Sequence, residues 1–417
     1  MAKVLVVGNG GREHAICYKF KQSKAVDEVF VARGNPNMRD VATIVDIDPL
    51  DFTRLINFVK AKAIDLTFVG PEIPLCAGIV DAFEKAGLKI FGPSKAAAEL
   101  EGSKVFSKYM MHKYHIPTAK YQAFDDYTKA LTYLKTQQYP IVIKCDGLAA
   151  GKGVVICPNY EDAKANLQAM MLDKRFQKAG SSVVIEEYLE GEEFSLLSFV
   201  NGDKVYPMEI AQDHKRAFDN DQGLNTGGMG AYTPVSHISK AIQTKAINEI
   251  VKPMAKAMVA ENKPFVGILY AGCMVCQNEV KTIEYNVRFG DPETEVLLLS
   301  LESDLYEVIN AVLAKQAFDL VWSKQVCLGV VLASKGYPEA YQKNHVIYNL
   351  DAVNATVFHM GTSLNDQNEV ITTGGRVLFV AAKAESIAAC QTKVYQEIAK
   401  ITCDNLFYRH DIGNRAL

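Results

Sequence analysis

The sequence lacks the features of several protein classes. No stretch approaches the roughly 18 consecutive apolar residues of a membrane-spanning helix, and the apolar run at 4–7 stops too early for a secretory signal. Basic residues are not in excess, because 45 Lys and Arg against 48 Asp and Glu give 45 − 48 = −3. Few cations are therefore available to neutralise nucleic-acid phosphates. We expect neither a nucleic-acid partner nor a membrane partner.

The cysteines do not form the pattern of a disulfide framework or a zinc site. Nine cysteines are an odd number scattered over a long chain. Cys273 and Cys276 form a single CxxC inside an apolar run, without a second pair beside it. We interpret the cysteines as reduced thiols and expect a cytoplasmic protein.

The chain's 417 residues suggest about three domains at ~150 residues each. The first hundred alternate apolar runs with amphipathic stretches, which implies parallel strands joined by crossover helices. The fold class we predict is therefore α/β, beginning with a doubly wound parallel sheet. We expect strands at 4–7, 29–32, 66–69 and 89–91, and helices at 12–21, 51–63 and 75–86.

A different pattern follows and becomes strand-rich near the C-terminus. In the middle we expect helices at 102–112, 127–136, 160–171, 238–260 and 294–313, and strands at 121–124, 141–144, 154–157, 183–187, 194–200, 205–208, 266–276 and 280–287. In the last hundred residues we expect strands at 327–333, 356–360, 369–372 and 376–380, and a helix at 386–400. Residues 211–230 have no hydrophobic periodicity, which predicts a long loop that is functional or mobile.

The segment Gly8-Asn9-Gly10-Gly11 follows the first strand and opens a helix. Glycines let the backbone approach a ligand, and free N–H groups at a helix start attract anions. A phosphate or carboxylate site and a tight turn without a ligand both remain open. The spacing is not GxGxxG, and the second strand ends at Arg33-Gly34 without the acid of a dehydrogenase site.

Lys144 ends an apolar strand, and Lys152 lies in the glycine-rich turn that leads to the next strand. Two cations on such a hairpin suit a flap over a polyphosphate. The pattern is not a Walker loop, which enters a helix. A surface hairpin with two solvated lysines is the alternative.

Glu284, Asn286 and Arg288 alternate along one strand, so they lie on one face with successive members ~7 Å apart. Carboxylate and amide oxygens suit a hard cation such as Mg²⁺, and a neighbouring Arg suits a phosphoryl oxygen. An exposed polar face of an edge strand is the alternative. The segments 213–216 and 225–230 concentrate charge and glycine, and by themselves could form a solvated loop.

Taken together, the motifs resemble the ATP-grasp enzymes and, within them, the phosphoribosylamine–glycine ligase (glycinamide ribonucleotide synthetase) family. The resemblance covers essentially the whole chain. It is carried by GNGGREHA (8–15), VGPE (69–72), FGPS (91–94), LEGSK (100–104), IVIKCDGLAAGKGV (141–154), EEYLEGEEFS (186–195), QDHKR (212–216), NTGGMGAY (225–232), EYNVRFGDPET (284–294) and GGRVL (374–378). Lys–Gly flaps occur across the superfamily, whereas GNGGREHA, QDHKR and NTGGMG together are specific to this ligase.

The resemblance implies a domain organisation and a reaction. The domains would be an N-terminal doubly wound domain at 1–103, an ATP-grasp domain at 104–322 with a mobile lid at about 119–190, and a strand-rich C-terminal domain at 323–417. ATP would phosphorylate glycine, and the amine of 5-phosphoribosylamine would attack the glycyl phosphate to give glycinamide ribonucleotide, ADP and phosphate in purine biosynthesis. The implied cofactors are ATP and Mg²⁺ or Mn²⁺, and the protein would be a monomer or weak homodimer.

The resemblance also implies a role for each matching residue. For ATP these are Lys104 and Lys144 on the phosphates, Gly151, Lys152, Gly153 and Val154 closing over them, Glu186, Glu187, Tyr188 and Leu189 against adenine, and Glu193 on the ribose. Glu284 and Asn286 would bind the metal, and Arg288 would orient the transferred phosphoryl group. For the other substrates these are Asn9, Gly10, Gly11 and Glu72 on phosphoribosylamine, and Asp213, Lys215, Asn225, Thr226, Gly227, Gly228 and Asp291 around glycine and the ribosyl group.

One departure from the superfamily leaves the metal site incomplete. The strand at 266–276 has no carboxylate, where many ATP-grasp enzymes supply another ligand, so no third ligand can be named. Three alternatives remain: another ATP-grasp carboxylate–amine or carboxylate–thiol ligase, a nicotinamide-dependent dehydrogenase, and a non-catalytic nucleotide sensor. The complete set of Glu284, Asn286 and Arg288 argues against the sensor.

Overall fold

The structure is a computed structural model that describes residues 1–148, 153–173 and 180–417. Over these ranges no helix has both the length and the apolar character needed to cross a lipid bilayer. Gly151 and Lys152, two of the residues expected to close over ATP, lie outside the described residues.

The first hundred residues form a parallel sheet. Its strands are β1 (Ala2–Gly8), β2 (Val26–Arg33), β3 (Thr43–Val45), β4 (Leu66–Val69) and β5 (Ile90–Phe91), in the order β3-β2-β1-β4-β5. Every pairing is parallel. Val4 and Val6 are fully buried, as expected of a central parallel strand. The predicted doubly wound sheet is confirmed, although the short strand β3 was not predicted.

Four helices lie between or after these strands: α1 (Gly11–Lys21), α2 (Phe52–Lys62), α3 (Glu72–Ala77) and α4 (Ile79–Lys85). The prediction of one helix at 75–86 is wrong, because α3 and α4 are separate. Gly78 has φ of +96° between them, a left-handed conformation that ends α3. α3 begins at Glu72, beside the carboxyl end of β4.

Two further helices, α5 (Lys95–Gly102) and α6 (Lys104–Lys113), are divided at Ser103. Ser103 is extended, and its hydroxyl accepts a hydrogen bond from the backbone N–H of Phe106, which fixes the start of α6. The same hydroxyl donates to Asp146 Oδ1 at 2.9 Å. Lys104 is therefore the first residue of α6, and Lys108 follows one turn later on the same face.

A four-stranded antiparallel sheet, here named the lid sheet, comprises β6 (Tyr121–Phe124), β7 (Ile141–Cys145), β8 (Val154–Cys157) and β9 (Val183–Glu187), in the order β6-β9-β7-β8. It packs with α7 (Tyr127–Leu134) and α8 (Tyr160–Met171) around a small core of its own. Val142 pairs with both Glu186 and Ile156. Since paired residues point to the same side of a sheet, these three side chains share one face with Lys144.

A second antiparallel sheet contains β10 (Glu192–Asn201), β11 (Lys204–Pro207), β16 (Val266–Cys276) and β17 (Glu279–Asn286), in the order β11-β10-β16-β17. The helical stretch predicted at 238–260 is present, as α9 (Lys240–Ala246), a π-helical turn (Ile247–Val251) and α10 (Lys252–Ala260). Cys273 and Cys276 on β16 are free thiols. The residues that continue from β17 carry Arg288 towards the N-terminal sheet.

Residues 211–230 were expected to be a loop without strands, which is wrong. They contain the short strands β12 (Gln212–Asp213), β13 (Arg216–Phe218) and β14 (Gln222–Asn225), and β15 (Gly230–Thr233) begins at their end. Strands of two to four residues are too short to show an alternating pattern. β13 and β14 pair with each other, whereas β12 and β15 join the C-terminal sheet.

The C-terminal sheet adds to β12 and β15 the strands β18 (Val326–Ser334), β19 (Thr356–His359), β22 (Arg376–Ala384) and β23 (Leu406–Phe407). It is antiparallel and has the order β12-β15-β18-β22-β19, and β23 also pairs with β18. A separate hairpin of β20 (Thr362–Leu364) and β21 (Val370–Thr372) and the helix α13 (Ile387–Ile398) complete this region. The strand-rich C-terminal region is confirmed.

One predicted helix, at 294–313, is wrong because two helices occupy it, α11 (Glu293–Ser300) and α12 (Leu305–Leu313). Leu301 is extended, and the Asp304 side chain accepts from the N–H groups of Tyr306 and Glu307 to start α12. Short 3₁₀ turns include Pro36–Met38, Asp219–Asp221, Leu350–Ala352 and Asn414–Ala416.

Candidate active site

A cavity of about 510 Å³ lies where the lid sheet, β17, α6 and the loops of the N- and C-terminal sheets meet. Nineteen residues singled out from the sequence line it: Glu72, Lys104, Lys144, Gly153, Val154, Glu186, Glu187, Tyr188, Leu189, Glu193, Asp213, Lys215, Asn225, Thr226, Gly227, Glu284, Asn286, Arg288 and Asp291. The structure therefore brings together residues more than 200 positions apart in the chain.

Four candidates do not line this cavity: Asn9, Gly10, Gly11 and Gly228. The N–H of Gly10 donates to Glu13 Oε2 at 2.7 Å, and a Cβ on Gly11 would lie 2.7 Å from Glu295 Oε1. The start of α1 is thus packed against two carboxylates. Arg12, the next residue of the turn, lines the cavity instead. Binding of phosphoribosylamine by the glycine turn stays a prediction.

Glu284 and Asn286 project from one face of β17 towards the lysines of the cavity. Burial alone would raise the pKa of Glu284, but the ammonium groups of Lys104 and Lys144 outweigh it and hold the pKa below its usual value. Among the described residues no group donates a hydrogen bond to the Glu284 carboxylate. That carboxylate is ionised and able to accept a cation.

The donor set of Glu284 and Asn286 fits a hard divalent cation. Both supply oxygen, and the Asn286 Oδ1 atom accepts from Arg288 Nη2 at 3.1 Å, which orients the amide. In the described part of the chain no cluster of three His, Cys, Asp or Glu residues forms a metal site. Mg²⁺ usually takes one or two protein carboxylates and completes its octahedron with phosphate oxygens and water, so a pair of protein oxygens fits it.

Arg288 is held between two carboxylates. Its Nη2 donates to Glu101 Oε1 at 2.9 Å, and its Nε lies 3.4 Å from Glu72 Oε2. Burial opposes the charge, but Glu101 and Glu72 more than compensate and raise the pKa of the guanidinium. Glu101 also accepts from the backbone N–H of Val287 at 2.7 Å. Arg288 is therefore a permanently charged group with a restrained orientation.

Two lysines flank the carboxylate of Glu186 at the lid-sheet end of the cavity. Lys144 Nζ lies 3.1 Å from Glu186 Oε1 and donates to the carbonyl oxygen of Ile283 at 3.1 Å. Lys108 Nζ lies 2.9 Å from Glu186 Oε2. Burial lowers the pKa of Lys108 to about 8, although Glu186 opposes that effect. Val142, Ile156, Leu189 and Met274 add apolar surface to the lining.

Asp213, the last residue of β12, forms an ion pair with Lys215. Lys215 Nζ donates to Asp213 Oδ2 at 2.7 Å and lies 4.0 Å from Glu193 Oε2. Nearby, the Tyr270 hydroxyl and the Ser195 hydroxyl donate to Glu293 Oε1 at 2.5 and 2.9 Å. Burial, reinforced by Asp213, raises the pKa of Glu293. This end of the cavity is consequently a dense network of charged and polar groups.

The residues that line the cavity and that sequence reasoning missed include Arg12, Glu101, Lys108, Tyr270, Glu293 and Arg376. Arg12, Glu101, Glu293 and Arg376 lie inside motifs that carried the family resemblance, so their position was a usable signal. Lys108 follows Lys104 by four residues, which places both on one helix face. Tyr270 lies inside an apolar strand and gave no signal.

Arg376 connects the C-terminal sheet to the cavity. Its Nη1 donates to the carbonyl oxygens of Gly227 and Asp291, both at 2.8 Å.

Three family models together match almost the whole chain. They are described as the N domain of phosphoribosylglycinamide synthetase at residues 2–101, its ATP-grasp (A) domain at 102–294 and its C domain at 327–415.

Curated relatives and solved structures agree with these models. The phosphoribosylamine–glycine ligase of Halalkalibacterium halodurans is 53% identical, with 99% of this chain and 97% of that protein covered. The ligase of Lactococcus lactis is 50% identical with both chains fully covered. The crystal structure of the ligase from Thermotoga maritima superposes with a TM-score of 0.86 at 31% identity, covering 99% of this chain and all of that one. The biotin carboxylase domain of the 2-oxoglutarate carboxylase from Hydrogenobacter thermophilus, at 15% identity over 97% of this chain and 91% of that one and a TM-score of 0.74, shares the fold.

Proposed function

The chain belongs to the phosphoribosylglycinamide synthetase (phosphoribosylamine–glycine ligase) family, and from this premise we propose how its cavity performs that family's reaction. The protein is an ATP-dependent ligase of purine biosynthesis that joins glycine to 5-phosphoribosylamine. The observation that carries the assignment of the site is the convergence on one cavity of Lys104 and Lys144, the ionised carboxylate of Glu284 and the restrained guanidinium of Arg288.

The first step is transfer of the γ-phosphoryl group of ATP to the carboxylate of glycine, which gives glycyl phosphate and ADP. Lys104 and Lys144 bind the phosphates, and Gly151, Lys152, Gly153 and Val154 close over them. Arg288 binds the phosphoryl group during its transfer. Its contacts with the carboxylates of Glu101 and Glu72 restrain the guanidinium in the orientation needed for this role. The nucleotide's adenine lies against Glu186, Glu187, Tyr188 and Leu189, and Glu193 accepts from its ribose hydroxyls.

Glu284 and Asn286 hold Mg²⁺ or Mn²⁺. This proposal is supported by the paired oxygen donors on one face of β17 and by the ionised state of Glu284. When bound, the cation supplies charge neutralisation to the phosphate oxygens.

The second step is attack of the phosphoribosylamine nitrogen on glycyl phosphate, which forms the amide bond and releases phosphate. A carboxylate is a poor electrophile until its oxygen becomes a good leaving group, and the protein's contribution is chiefly to position the two reactants. Asp213, Lys215, Asp291 and Asn225 to Gly228 surround glycine and the ribosyl group, and Asn9, Gly10, Gly11 and Glu72 lie on the phosphoribosylamine side.

We retain the domain division at 1–103, 104–322 with a lid at about 119–190, and 323–417, which the separate sheets support apart from β12 and β15. We also propose a cytoplasmic monomer or weak homodimer that binds small molecules and neither nucleic acid nor membranes. The free thiols of Cys273 and Cys276 are compatible with a reducing compartment.

The test is Mg²⁺-dependent ADP release with glycine and phosphoribosylamine, the latter generated in the cuvette from ribose 5-phosphate and ammonia. We expect ADP only when both substrates are present, together with the matching amide product. ADP release with another carboxylate or amine would identify a different ATP-grasp ligase. No ADP from folded protein under any combination would contradict the ligase and favour a nucleotide sensor.

A further inference from the structure

Lys108 occupies a buried position beside the nucleotide end of the cavity, and the proposed reaction assigns it no role. Its side chain is 3% exposed and that of its partner Glu186 is 4% exposed. The Lys108 ammonium also donates to Thr118 Oγ1 at 2.7 Å and lies 5.7 Å from the centre of the Tyr121 ring. Thr118 in turn donates to the carbonyl oxygen of Thr282 at 2.8 Å, so Lys108 is fixed to the strand that carries Glu284.

The two oxygens of Glu186 have different environments. Oε2 is bound by Lys108, whereas Oε1 is buried and has no hydrogen-bond partner among the described residues. Lys144 approaches Oε1 at 3.1 Å but outside hydrogen-bonding geometry, and its ammonium is the group that the proposed function directs to the ATP phosphates. A buried acceptor without a partner is costly, so its retention at the cavity wall points to a donor supplied by a ligand.

The surroundings of this acceptor match a purine. Val142 and Ile156 lie on the same face of the lid sheet as Glu186, and Leu189 and Met274 also line the cavity. An apolar slot with one aligned carboxylate oxygen recognises a planar base that carries an amino group. In a 6-oxopurine a carbonyl oxygen replaces this amino group. Its lone pairs would face those of the Glu186 carboxylate, and the two acceptors would repel each other.

We propose that Lys108 is a positioning residue for selection of the base: by holding Glu186 Oε2, it fixes Oε1 as the acceptor for the exocyclic amino group of adenine, and so makes the enzyme prefer adenine over 6-oxopurine nucleotides. The inference rests on the proposed function only for the identity of the cavity as the nucleotide site. It adds a residue and a source of specificity to that site.

The experiment measures equilibrium binding of MgADP and MgIDP to the full chain by calorimetry, without glycine or phosphoribosylamine. The variants are Lys108→Met, Glu186→Gln, the double variant, and Lys113→Met as a matched control. Lys113 is on the same helix and its ammonium contacts Glu261 at the surface, away from the cavity.

Loss of one charge-assisted hydrogen bond predicts that Lys108→Met lowers the preference for ADP over IDP by about tenfold, chiefly by weakening ADP binding. Lys113→Met should leave the preference unchanged. Because Lys108 acts only through Glu186, the double variant should show the same preference as Glu186→Gln alone.

Equal weakening of both nucleotides by Lys108→Met would overturn the inference, since a merely structural lysine would act in that way. An unchanged preference in Glu186→Gln would also overturn it. If Lys108→Met fails to fold, Glu186→Gln and the double variant decide the matter, because Gln keeps the shape of Glu186 and an oxygen that can accept from Lys108, and the double variant removes both members of the Lys108–Glu186 ion pair. Selective ADP binding without ligation would contradict the proposed function and leave this inference standing.

Discussion

Replacement of Lys144 by Met tests the phosphate site most directly, because the side chain keeps its apolar stem and loses only its charge. A lysine–phosphate contact at 3.1 Å, the distance that Lys144 keeps from Glu186, is worth about 5 kcal/mol at an effective dielectric constant of ~20. The lysine already contacts Glu186 and the carbonyl oxygen of Ile283, so ATP binding exchanges partners. The net loss should be about 1.5–3 kcal/mol, or roughly 10- to 150-fold in affinity for ATP.

The structure also predicts that this variant folds. Glu186 keeps Lys108 at 2.9 Å when Lys144 is removed, so no buried carboxylate is left without a cation. The assay is calorimetric binding of MgATP together with the KM for ATP at saturating glycine and phosphoribosylamine. Lys164→Met, on the exposed face of α8, is the matched control within the lid. An unchanged affinity for ATP would refute the placement of Lys144 on the phosphates.

Three further predictions follow from the geometry. Glu284→Gln should lower turnover at limiting Mg²⁺ by about 10- to 100-fold, because one oxygen donor loses its charge, and turnover should recover partly at high Mg²⁺. Near-normal turnover at limiting Mg²⁺ would exclude Glu284 as a metal ligand. Burial opposes ionisation of Asp411, but Arg409 at 2.7 Å lowers its pKa to about 2, so its stabilisation is complete above pH ~3.8 and is lost as pH falls towards 2. Asp411→Asn should therefore cost roughly 1–2 kcal/mol in urea unfolding at pH 7 and clearly less at pH 3, and a cost independent of pH would contradict this. Burial, aided by the charge of His14, lowers the pKa of His359 to about 3. Between pH ~6.5 and that value only the unfolded chain binds the proton, so the free energy of unfolding decreases as the pH is lowered. His359→Asn should reduce that slope between pH 6.5 and 4 by up to about 1.4 kcal/mol per pH unit, and an unchanged slope in urea titrations would refute the assignment.

The parts of the fold that could be predicted from sequence are those with a long, regular pattern. The buried strands of the N-terminal sheet read as continuous apolar runs, and β6, β8, β9, α8 and β16 have the predicted bounds. The two errors at helices share a cause, which is local chemistry that overrides the pattern. Gly78 in a left-handed conformation and the capping side chain of Asp304 divide helices whose apolar residues alone give no sign of an interruption.

The candidate site was predictable where the spacing itself has geometric meaning. Alternation places Glu284 and Asn286 on one face of β17, and the cavity contains both of them together with Arg288, which was expected on the same strand but lies two residues beyond its end. Partners contributed by another element could not be assigned in this way. Glu101 of α5 restrains Arg288 across 187 residues of sequence, and no spacing rule within one segment identifies such a pair. The glycine turn shows the opposite case, because its glycines are explained by Glu13 and Glu295 packed against them.

The strand β15 has a consequence for how this protein can be taken apart. Its residues Gly230 to Thr233 pair with β18, which lies beyond the proposed boundary at 322, and the side chain of Arg376 on β22 donates to the carbonyl oxygens of Gly227 and Asp291. A fragment ending at 322 would leave the edge of β15 without its pairing strand and would lose Arg376 from the lining of its cavity. The C-terminal hundred residues are thus no removable module, and in a split-protein design the two halves would have to reassemble through this sheet before either could work.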